Sequence, residues 1–195
     1  MTSHIVGATF LLDMGYNLFT FDYSGYGQSW GKPTLSGIQK DARAVFEHIL
    51  ERPKKFGSSV FGFGQSMGAY ALARILPEIP SLKGAILEAG LFSFYDLFRQ
   101  SYPHIKCTIP NEGYSALDTL PSSSVPKLFI HGTHDQVVPH THSETMFEIA
   151  AGPKEIMILQ GVGHIEAFLS TQSSSYTERI QLFVEKNAEK NDQRS

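Results

Sequence analysis

A serine stands between two glycines at residues 64–68, which read Gly-Gln-Ser-Met-Gly. A strand-type run over residues 60–63 precedes this pentapeptide, and a helix-forming run follows it. Such a strand–turn–helix context is typical of a nucleophile elbow, in which a strained backbone lifts the serine hydroxyl above a sheet. We expect a side chain at either glycine position to collide with the neighbouring strand or helix. The pattern predicts Ser66 as a nucleophile.

A serine hydroxyl needs a base to remove its proton and an acid to orient that base. Asp135 follows an apolar strand-type run at residues 128–131, and His164 follows another at residues 155–159. Taken alone, the aspartate is also typical of a turn and the histidine of a cap. Because the carboxyl ends of parallel strands meet at one edge of a sheet, their joint occurrence favours Asp135 as the acid and His164 as the base. Such a site requires neutral His164, so activity is expected to fall at acid pH.

Three further residues are candidates for the same site. The backbone N–H of Met67, at the start of the helix after the serine, is expected to stabilise an oxyanion. Glu88 ends the strand-type run at residues 85–87 and is an alternative acid for the histidine. Asp22 ends an earlier run and is interpreted as a cap for the turn that follows it.

Four histidines between residues 131 and 142 are candidate metal ligands. They straddle a strand end, a loop and a helix start, whereas histidine ligands usually sit at fixed spacings on a rigid element. No metal and no organic cofactor are therefore expected. The single cysteine, Cys107, has no helix or strand pattern around it and is interpreted as a spectator thiol. The four histidines are His131, His134, His140 and His142.

Strand-type runs alternate with runs of helical period along the chain, which predicts an α/β fold with a mostly parallel sheet. Residues 91–126 are less regular and are expected to form a minimal cap of one helix and a loop. Aromatic residues 92, 94, 95 and 98 in this segment are typical of core packing and are also candidates to line an acyl pocket. The predicted helices are 5–14, 38–50, 67–76 and 177–186, and the predicted strands are 17–22, 58–63, 85–87, 128–131 and 155–159.

The composition fits one folded domain. The chain has 195 residues, of which 42% are hydrophobic, and one domain over residues 1–186 with a polar tail over residues 187–195 is expected. A net charge of −3 without a Lys/Arg cluster argues against nucleic acid and against a membrane surface. No run is long enough to span a bilayer and the first residues lack the features of a signal peptide, so a cytoplasmic location is expected. Nothing in the sequence indicates an oligomeric state.

Four motifs together resemble one subgroup of the α/β-hydrolase superfamily. It is the small-cap serine hydrolases, which include the serine-aminopeptidase-like proteins and the acyl-protein thioesterases (depalmitoylases). The resemblance runs from about Leu11 to Val184. It implies a three-layer α/β/α sandwich and hydrolysis of an ester, thioester or amide through an acyl-enzyme with a Ser66–Asp135–His164 triad. The motifs are Phe-Asp-Tyr-Ser-Gly-Tyr-Gly-Gln-Ser at 21–29, the pentapeptide at 64–68, His-Gly-Thr-His-Asp at 131–135 and Gly-His at 163–164.

The sequence departs from this subgroup at its beginning. The resemblance implies three strands before the first helix, the third ending in a His-Gly loop that supplies a second oxyanion donor, and no such segment is found here. The hydroxyl of Tyr23 or Tyr26 is a candidate replacement for that donor. The run at residues 17–22 is then expected to shift against 58–63, unless another chain supplies a strand or the chain is a truncated product. The competing hypothesis is a catalytically impaired remnant that acts as a binding protein.

Overall fold

A parallel sheet of four strands forms the centre of the protein. The computed structural model describes residues 8–106 and 113–188, so Cys107 lies outside the described residues. Each strand pairs in parallel with the next one along the chain. The carboxyl ends of all four strands therefore lie at one edge of the sheet. The strands are β1 (Phe61–Gln65), β2 (Gly84–Glu88), β3 (Lys127–Gly132) and β4 (Lys154–Leu159).

Helices connect and cover these strands. Short 3₁₀ turns occur at Leu76–Glu78, Ala116–Asp118, Leu120–Ser122 and Ala167–Leu169. In the part of the chain that the structure describes, no helix combines the length and apolar character needed to cross a membrane. The helices are α1 (Phe10–Asp13), α2 (Leu35–Leu50), α3 (Pro53–Phe56), α4 (Met67–Ile75), α5 (Phe94–Ser101), α6 (Thr141–Ile149) and α7 (Ser173–Ala188).

The hydrophobic core has two layers, one on each face of the sheet. Leu87 of β2 and Phe129 of β3 point into a layer closed by α2, α4 and α6. Their neighbours Ile86 and Leu128 point into the opposite layer, closed by α1 and α7. Successive side chains of a strand face opposite sides of the sheet, so strands buried on both faces are apolar at nearly every position. The structure confirms the predicted three-layer α/β/α sandwich.

The first predicted strand is wrong. Residues 17–22 form no strand, and β1 pairs only with β2 within the described residues. The expected shift of this segment against β1 is therefore also absent there. The segment runs past the edge of the sheet instead: Leu18 packs against one core layer and Phe21 against the other. An apolar run predicts burial, but a strand also needs a neighbouring strand to accept its backbone hydrogen bonds.

Other element bounds differ by a few residues. Strand β1 begins and ends two to three residues later than the predicted 58–63, so it leads directly into Ser66. Helix α6 lies where the sequence pattern indicates only a helix start near the histidines. Asn187, predicted to begin the polar tail, lies within α7, and its buried amide donates to the Phe183 carbonyl 2.8 Å away. The apolar face of this helix holds the asparagine in place despite its polar side chain.

Candidate active site

Ser66 occupies the turn between β1 and α4. Its backbone has φ 52° and ψ −115°, in the region that L-residues rarely adopt. The Ser66 N–H donates to the Glu88 carbonyl of β2 at 2.9 Å, and the Ser66 carbonyl accepts from the Tyr70 N–H of α4 at 3.1 Å. The turn is thereby tied to the neighbouring strand and to the first turn of the helix. Backbone strain of this kind persists because the surrounding structure over-determines it.

The two glycines around Ser66 have different roles. A Cβ atom at Gly64 would lie 2.5 Å from the carbonyl oxygen of Gly68 and 2.7 Å from the backbone nitrogen of Ala69. A Cβ atom at Gly68 would meet no atom within 4 Å beyond its chain neighbours and the backbone of its own helix. The expected collision is therefore confirmed at Gly64 and is wrong at Gly68, because only Gly64 lies directly against the backbone of α4.

Strained backbone is concentrated at the carboxyl edge of the sheet. Within the described residues, three non-glycine residues have positive φ: Ser66 at 52°, Ala89 at 48° and Ile165 at 51°. Ser66 follows β1, Ala89 follows β2, and Ile165 follows His164 in the loop after β4. Such strain is found preferentially at active sites. Alanine and isoleucine are not residue types that favour positive φ, so the sequence does not predict the conformation of Ala89 or Ile165.

Asp135 lies in the loop after β3, with its carboxylate fully buried. Its Oδ1 accepts the backbone N–H groups of Val137 and Val138, each at 2.8 Å. Its Oδ2 accepts from His164 Nδ1 at 2.7 Å and from His131 Nε2 at 3.1 Å. Burial by itself raises the pKa of Asp135, but the hydrogen bonds from both histidines and both N–H groups outweigh burial and hold the pKa well below its usual range. Asp135 is therefore an ionised acceptor at neutral pH.

His164 is oriented by this carboxylate. An ionised carboxylate only accepts, so Nδ1 of His164 carries the proton in the 2.7 Å bond and a neutral ring leaves Nε2 as a free base. The side chain is 17% exposed, at the surface of the same sheet edge as Ser66. The structure thus brings His164 and Asp135 together. Among the described residues the Ser66 hydroxyl has no hydrogen bond to His164, and such catalytic bonds often shorten only when substrate is bound.

Glu88, the alternative acid, is engaged elsewhere. Its Oε2 accepts from Gln65 Nε2 and from the Tyr176 hydroxyl, each at 2.8 Å, and the residue is 2% exposed. Burial raises the pKa of Glu88, against the lowering effect of these hydrogen bonds and of nearby His131 and His164. The carboxyl lies close to the site, but His164 bonds directly to Asp135 and not to Glu88. The geometry favours Asp135 as its orienting partner.

The three candidate donors to an oxyanion differ in their surroundings. Met67 is the first residue of α4, where backbone N–H groups have no partner within the helix. Burial, with a smaller effect of Asp41, raises the pKa of Tyr23 to about 12, and its ring packs against Phe21 and the core. Tyr26 is 44% exposed. Tyr23 therefore packs in the turn, and the Met67 N–H remains a candidate donor next to Ser66.

Asp22 caps the turn that follows it, as its position in the sequence predicts. Its Oδ2 accepts the Gln28 N–H at 3.3 Å, and its carbonyl accepts the Ser29 hydroxyl at 2.8 Å. These bonds close the glycine-rich turn of residues 23–27 on the segment before it. Asp22 is thus an anchor for this loop.

The four histidines between residues 131 and 142 do not converge. His131 is buried in the sheet against Asp135, His140 lies 4.0 Å from Glu144 on α6, and His134 follows β3 in the exposed loop. Across residues 8–106 and 113–188, no three His, Cys, Asp or Glu side chains form a group that could hold a metal ion.

His142 joins α6 to the segment before α5, a contact that sequence patterns did not reveal. Its ring packs on Phe92, with 4.2 Å between the ring centroids and 30° between the ring planes. Nδ1 accepts the Phe92 N–H at 3.3 Å, so Nε2 carries the proton donated to Gln100 Oε1 at 3.2 Å. Burial lowers the pKa of His142 to about 4. His142 is therefore a neutral bridge at physiological pH.

We expect this bridge to make the protein less stable in mild acid. Between its usual pKa of 6.5 and the folded value of about 4, the unfolded chain binds a proton at His142 that the folded chain does not, so stability falls as pH falls. Replacing His142→Phe keeps the packing on Phe92 and removes the titration. In urea unfolding, the stability lost between neutral pH and pH ~4.5 should be smaller by about 2 kcal/mol in the variant.

His48→Phe is the matched control, because it removes an exposed imidazole of α2 and leaves the His142 contacts intact. An equal loss of stability in the wild type and in His142→Phe would show that the buried ring takes up its proton while folded.

Of the aromatic candidates for an acyl pocket, Phe94 packs on the helix that follows Ser66, whereas Phe92 packs on His142 and Phe98 on Tyr102. Phe94 contacts Tyr70 edge-on, with 5.0 Å between ring centroids. Together with Leu97 it covers a small buried cluster of Tyr70, Leu91 and Val138. Tyr70 lies one helical turn after Ser66, and Val138 belongs to the loop of Asp135. This cluster is an apolar wall that links α4, the loop of Asp135 and α5.

Known proteins resemble the chain in sequence and in structure. YfhR of Escherichia coli (strain K12) is 28% identical over 187 residues, which are 94% of this chain and 66% of YfhR. Human α/β-hydrolase domain-containing protein 17B is 32% identical over 168 residues, 86% of this chain and 56% of that protein. The chain thus spans between about half and two thirds of these relatives. The Pyrococcus furiosus esterase Pf2001 superposes with a TM-score of 0.76 at 20% identity, over 96% of this chain and 78% of the esterase, and therefore shares its fold.

The family assignment follows from the part of the chain around the elbow. The family described as serine aminopeptidase S33 matches residues 7–111, just over half of the sequence, including the pentapeptide of Ser66. Together with the three-layer fold and the relatives above, this match shows that the chain belongs to the serine aminopeptidase S33 family of the α/β-hydrolase superfamily.

Proposed function

We propose that the protein is a serine hydrolase that cleaves an ester, thioester or amide through an acyl-enzyme. The observation that carries the proposal is the 2.7 Å hydrogen bond from His164 Nδ1 to the buried Asp135 carboxylate, at the same sheet edge as the strained Ser66. An imidazole held in this way presents a basic Nε2, which is what a neighbouring serine hydroxyl needs for activation.

Each residue has a defined role in the proposed reaction. His164 Nε2 removes the Ser66 proton as Oγ attacks the carbonyl carbon, and the carbonyl oxygen becomes an oxyanion at the Met67 N–H. The imidazolium then protonates the leaving group, and an acyl-Ser66 ester remains. Water, deprotonated by His164, hydrolyses this ester and restores the serine. Asp135 stays ionised and stabilises the imidazolium throughout.

The proposed substrate class rests on the relatives. The family is named for an aminopeptidase, which acts on an amide, and the structural neighbour from Pyrococcus furiosus is named an esterase. Both reactions pass through the same tetrahedral oxyanion, so one triad serves either leaving group. Phe94 and Leu97, the partly exposed members of the apolar wall, favour an apolar acyl chain.

A fluorophosphonate probe tests the proposal directly, because it phosphonylates only an activated serine. The purified chain is expected to be labelled at Ser66, and Ser66→Ala should abolish labelling. Ser101→Ala, at the last residue of α5, is the matched control and should label like the wild type. A wild-type chain that stays unlabelled, or a Ser66→Ala protein that labels normally, contradicts the proposal.

A binding role without catalysis is the second candidate, and one observation favours it. Among the described residues the outer edge of β1 has no strand beside it. Since the Ser66 N–H points to β2 and residues alternate, the N–H groups of Phe61, Phe63 and Gln65 point to that outer edge. An open edge is a template for an added strand. The same probe decides between the two candidates, because a binding remnant leaves Ser66 unlabelled.

A further inference from the structure

A buried row of side chains extends behind Asp135, and the roles proposed above do not use it. His131 of β3 places Nε2 at 3.1 Å from Asp135 Oδ2 and at 2.9 Å from the Val138 carbonyl. Its Nδ1 lies 2.7 Å from the Ser143 hydroxyl of α6. His131 is 1% exposed and Ser143 is fully buried. No water reaches these atoms, so their hydrogen bonds must be satisfied within the row.

The partners determine which ring nitrogen of His131 carries the proton. A carboxylate and a carbonyl only accept, so the Nε2 that faces both of them is protonated. In a neutral imidazole Nδ1 is then an acceptor, and the Ser143 hydroxyl must donate to it. The direction of every bond in the row follows: Ser143 to His131, and His131 to Asp135.

The row completes the hydrogen bonding of the Asp135 carboxylate. Val137 and Val138 donate to Oδ1, and His131 and His164 donate to Oδ2, so both oxygens accept two hydrogen bonds. A carboxylate held at four points cannot rotate about its Cβ–Cγ bond without breaking several of them. The oxygen that orients His164 is the same oxygen that His131 holds in place.

We propose that His131 is a positioning residue: its Nε2–H, in a ring anchored by the Ser143 hydroxyl at Nδ1, fixes the Asp135 oxygen that orients His164. This inference rests on the proposed function and deepens it. His131 does not touch the reacting atoms and acts only through Asp135. Without it, Oδ2 keeps a single donor, and the carboxylate and the imidazole that it orients gain freedom to turn away from Ser66.

The first test reads the histidine protons without any substrate. Long-range ¹H–¹⁵N NMR on the full chain, labelled in its histidines, distinguishes protonation at Nδ1 from protonation at Nε2. In the wild type, His131 is expected to be protonated at Nε2 and His164 at Nδ1. In Ser143→Ala, His131 is expected to stay protonated at Nε2, because the Asp135 carboxylate and the Val138 carbonyl still face that nitrogen. A wild-type His131 protonated at Nδ1 overturns the proposal.

The second test compares two replacements of His131 by their rate of fluorophosphonate labelling. His131→Gln keeps an N–H donor at the end of the side chain and is expected to stay within about threefold of the wild type. His131→Leu removes every donor and is expected to react about 10- to 100-fold more slowly, since a misplacement of about 1 Å costs about 10²-fold. A folded His131→Leu protein that labels at the wild-type rate overturns the proposal, because a purely structural role lowers stability and leaves the rate of the folded chain unchanged.

The proposal can still be tested if a variant does not fold or if the wild type is not labelled. If His131→Leu does not fold, His131→Phe replaces it, because it also lacks a donor and fills the space of the ring: slower labelling than in His131→Gln supports the proposal, and a wild-type rate overturns it. If the wild type itself is not labelled, the proposed function fails, and the NMR signal of His164 still decides the positioning. The proposal predicts that His164 keeps its single Nδ1-protonated form in His131→Gln and loses it in His131→Leu. The same result in both variants contradicts the role of the donor.

Discussion

Replacing Asp135→Asn is expected to lower the rate of acyl transfer by about 10⁴-fold. The reason lies in the hydrogen bonds of the carboxylate. Oδ1 accepts two backbone N–H groups, and Oδ2 accepts both His131 and His164. An asparagine amide has one oxygen and one NH₂ group, so either orientation sets the NH₂ group against donors. To relieve this clash, His164 must move its proton to Nε2, and it then no longer serves as a base for Ser66.

The measurement is the single-turnover rate with an activated short-chain ester, together with the rate of fluorophosphonate labelling. Glu88→Gln is the matched control, because it neutralises the other buried carboxyl near the site and is expected to keep the rate within about tenfold, a small change beside that of an essential triad acid. A normal rate in Asp135→Asn together with a collapse in Glu88→Gln would assign the acid to Glu88 and contradict the roles proposed here.

Replacing Gly64→Ala is expected to destabilise the protein by about 3 kcal/mol and to slow labelling of Ser66 by about 100-fold. The added methyl group would lie 2.5 Å from the Gly68 carbonyl oxygen, so α4 must move away from β1. Because Ser66 lies between these two elements, its hydroxyl moves with the helix. Stability is measured by chemical unfolding, and the rate by probe labelling of the folded protein.

Gly68→Ala is the matched control for this prediction. It adds the same methyl group four residues later, inside α4, where no atom lies within 4 Å beyond its chain neighbours and the backbone of its own helix. Alanine is the better helix former by about 0.5–1 kcal/mol, so this variant should be as stable as the wild type or slightly more stable. Equal losses of stability in the two variants would mean that the contact between β1 and α4 does not depend on Gly64.

The order of helices and strands could be predicted from local patterns. The four strands of the sheet and the helix after Ser66 each contain their own apolar periodicity, and glycine or proline marks their ends. The same patterns placed Ser66, Asp135 and His164 directly after three different strands. The segment 17–22 shows where this reasoning fails. Its apolar residues do contact the core, but a strand requires a neighbouring strand, and sequence periodicity does not report one.

The candidate site, too, could be predicted from the sequence only in part. The sequence by itself determined that a serine, a carboxylate and an imidazole lie at strand ends on one edge, because parallel strands align their carboxyl ends. Only the tertiary structure decided that His164 bonds to Asp135 rather than to Glu88, and that His131 and Ser143 lie behind this pair. These choices depend on distances between residues far apart in the chain, and no local pattern encodes them. Packing of the strands and of α6 sets those distances, and through them the direction of each hydrogen bond.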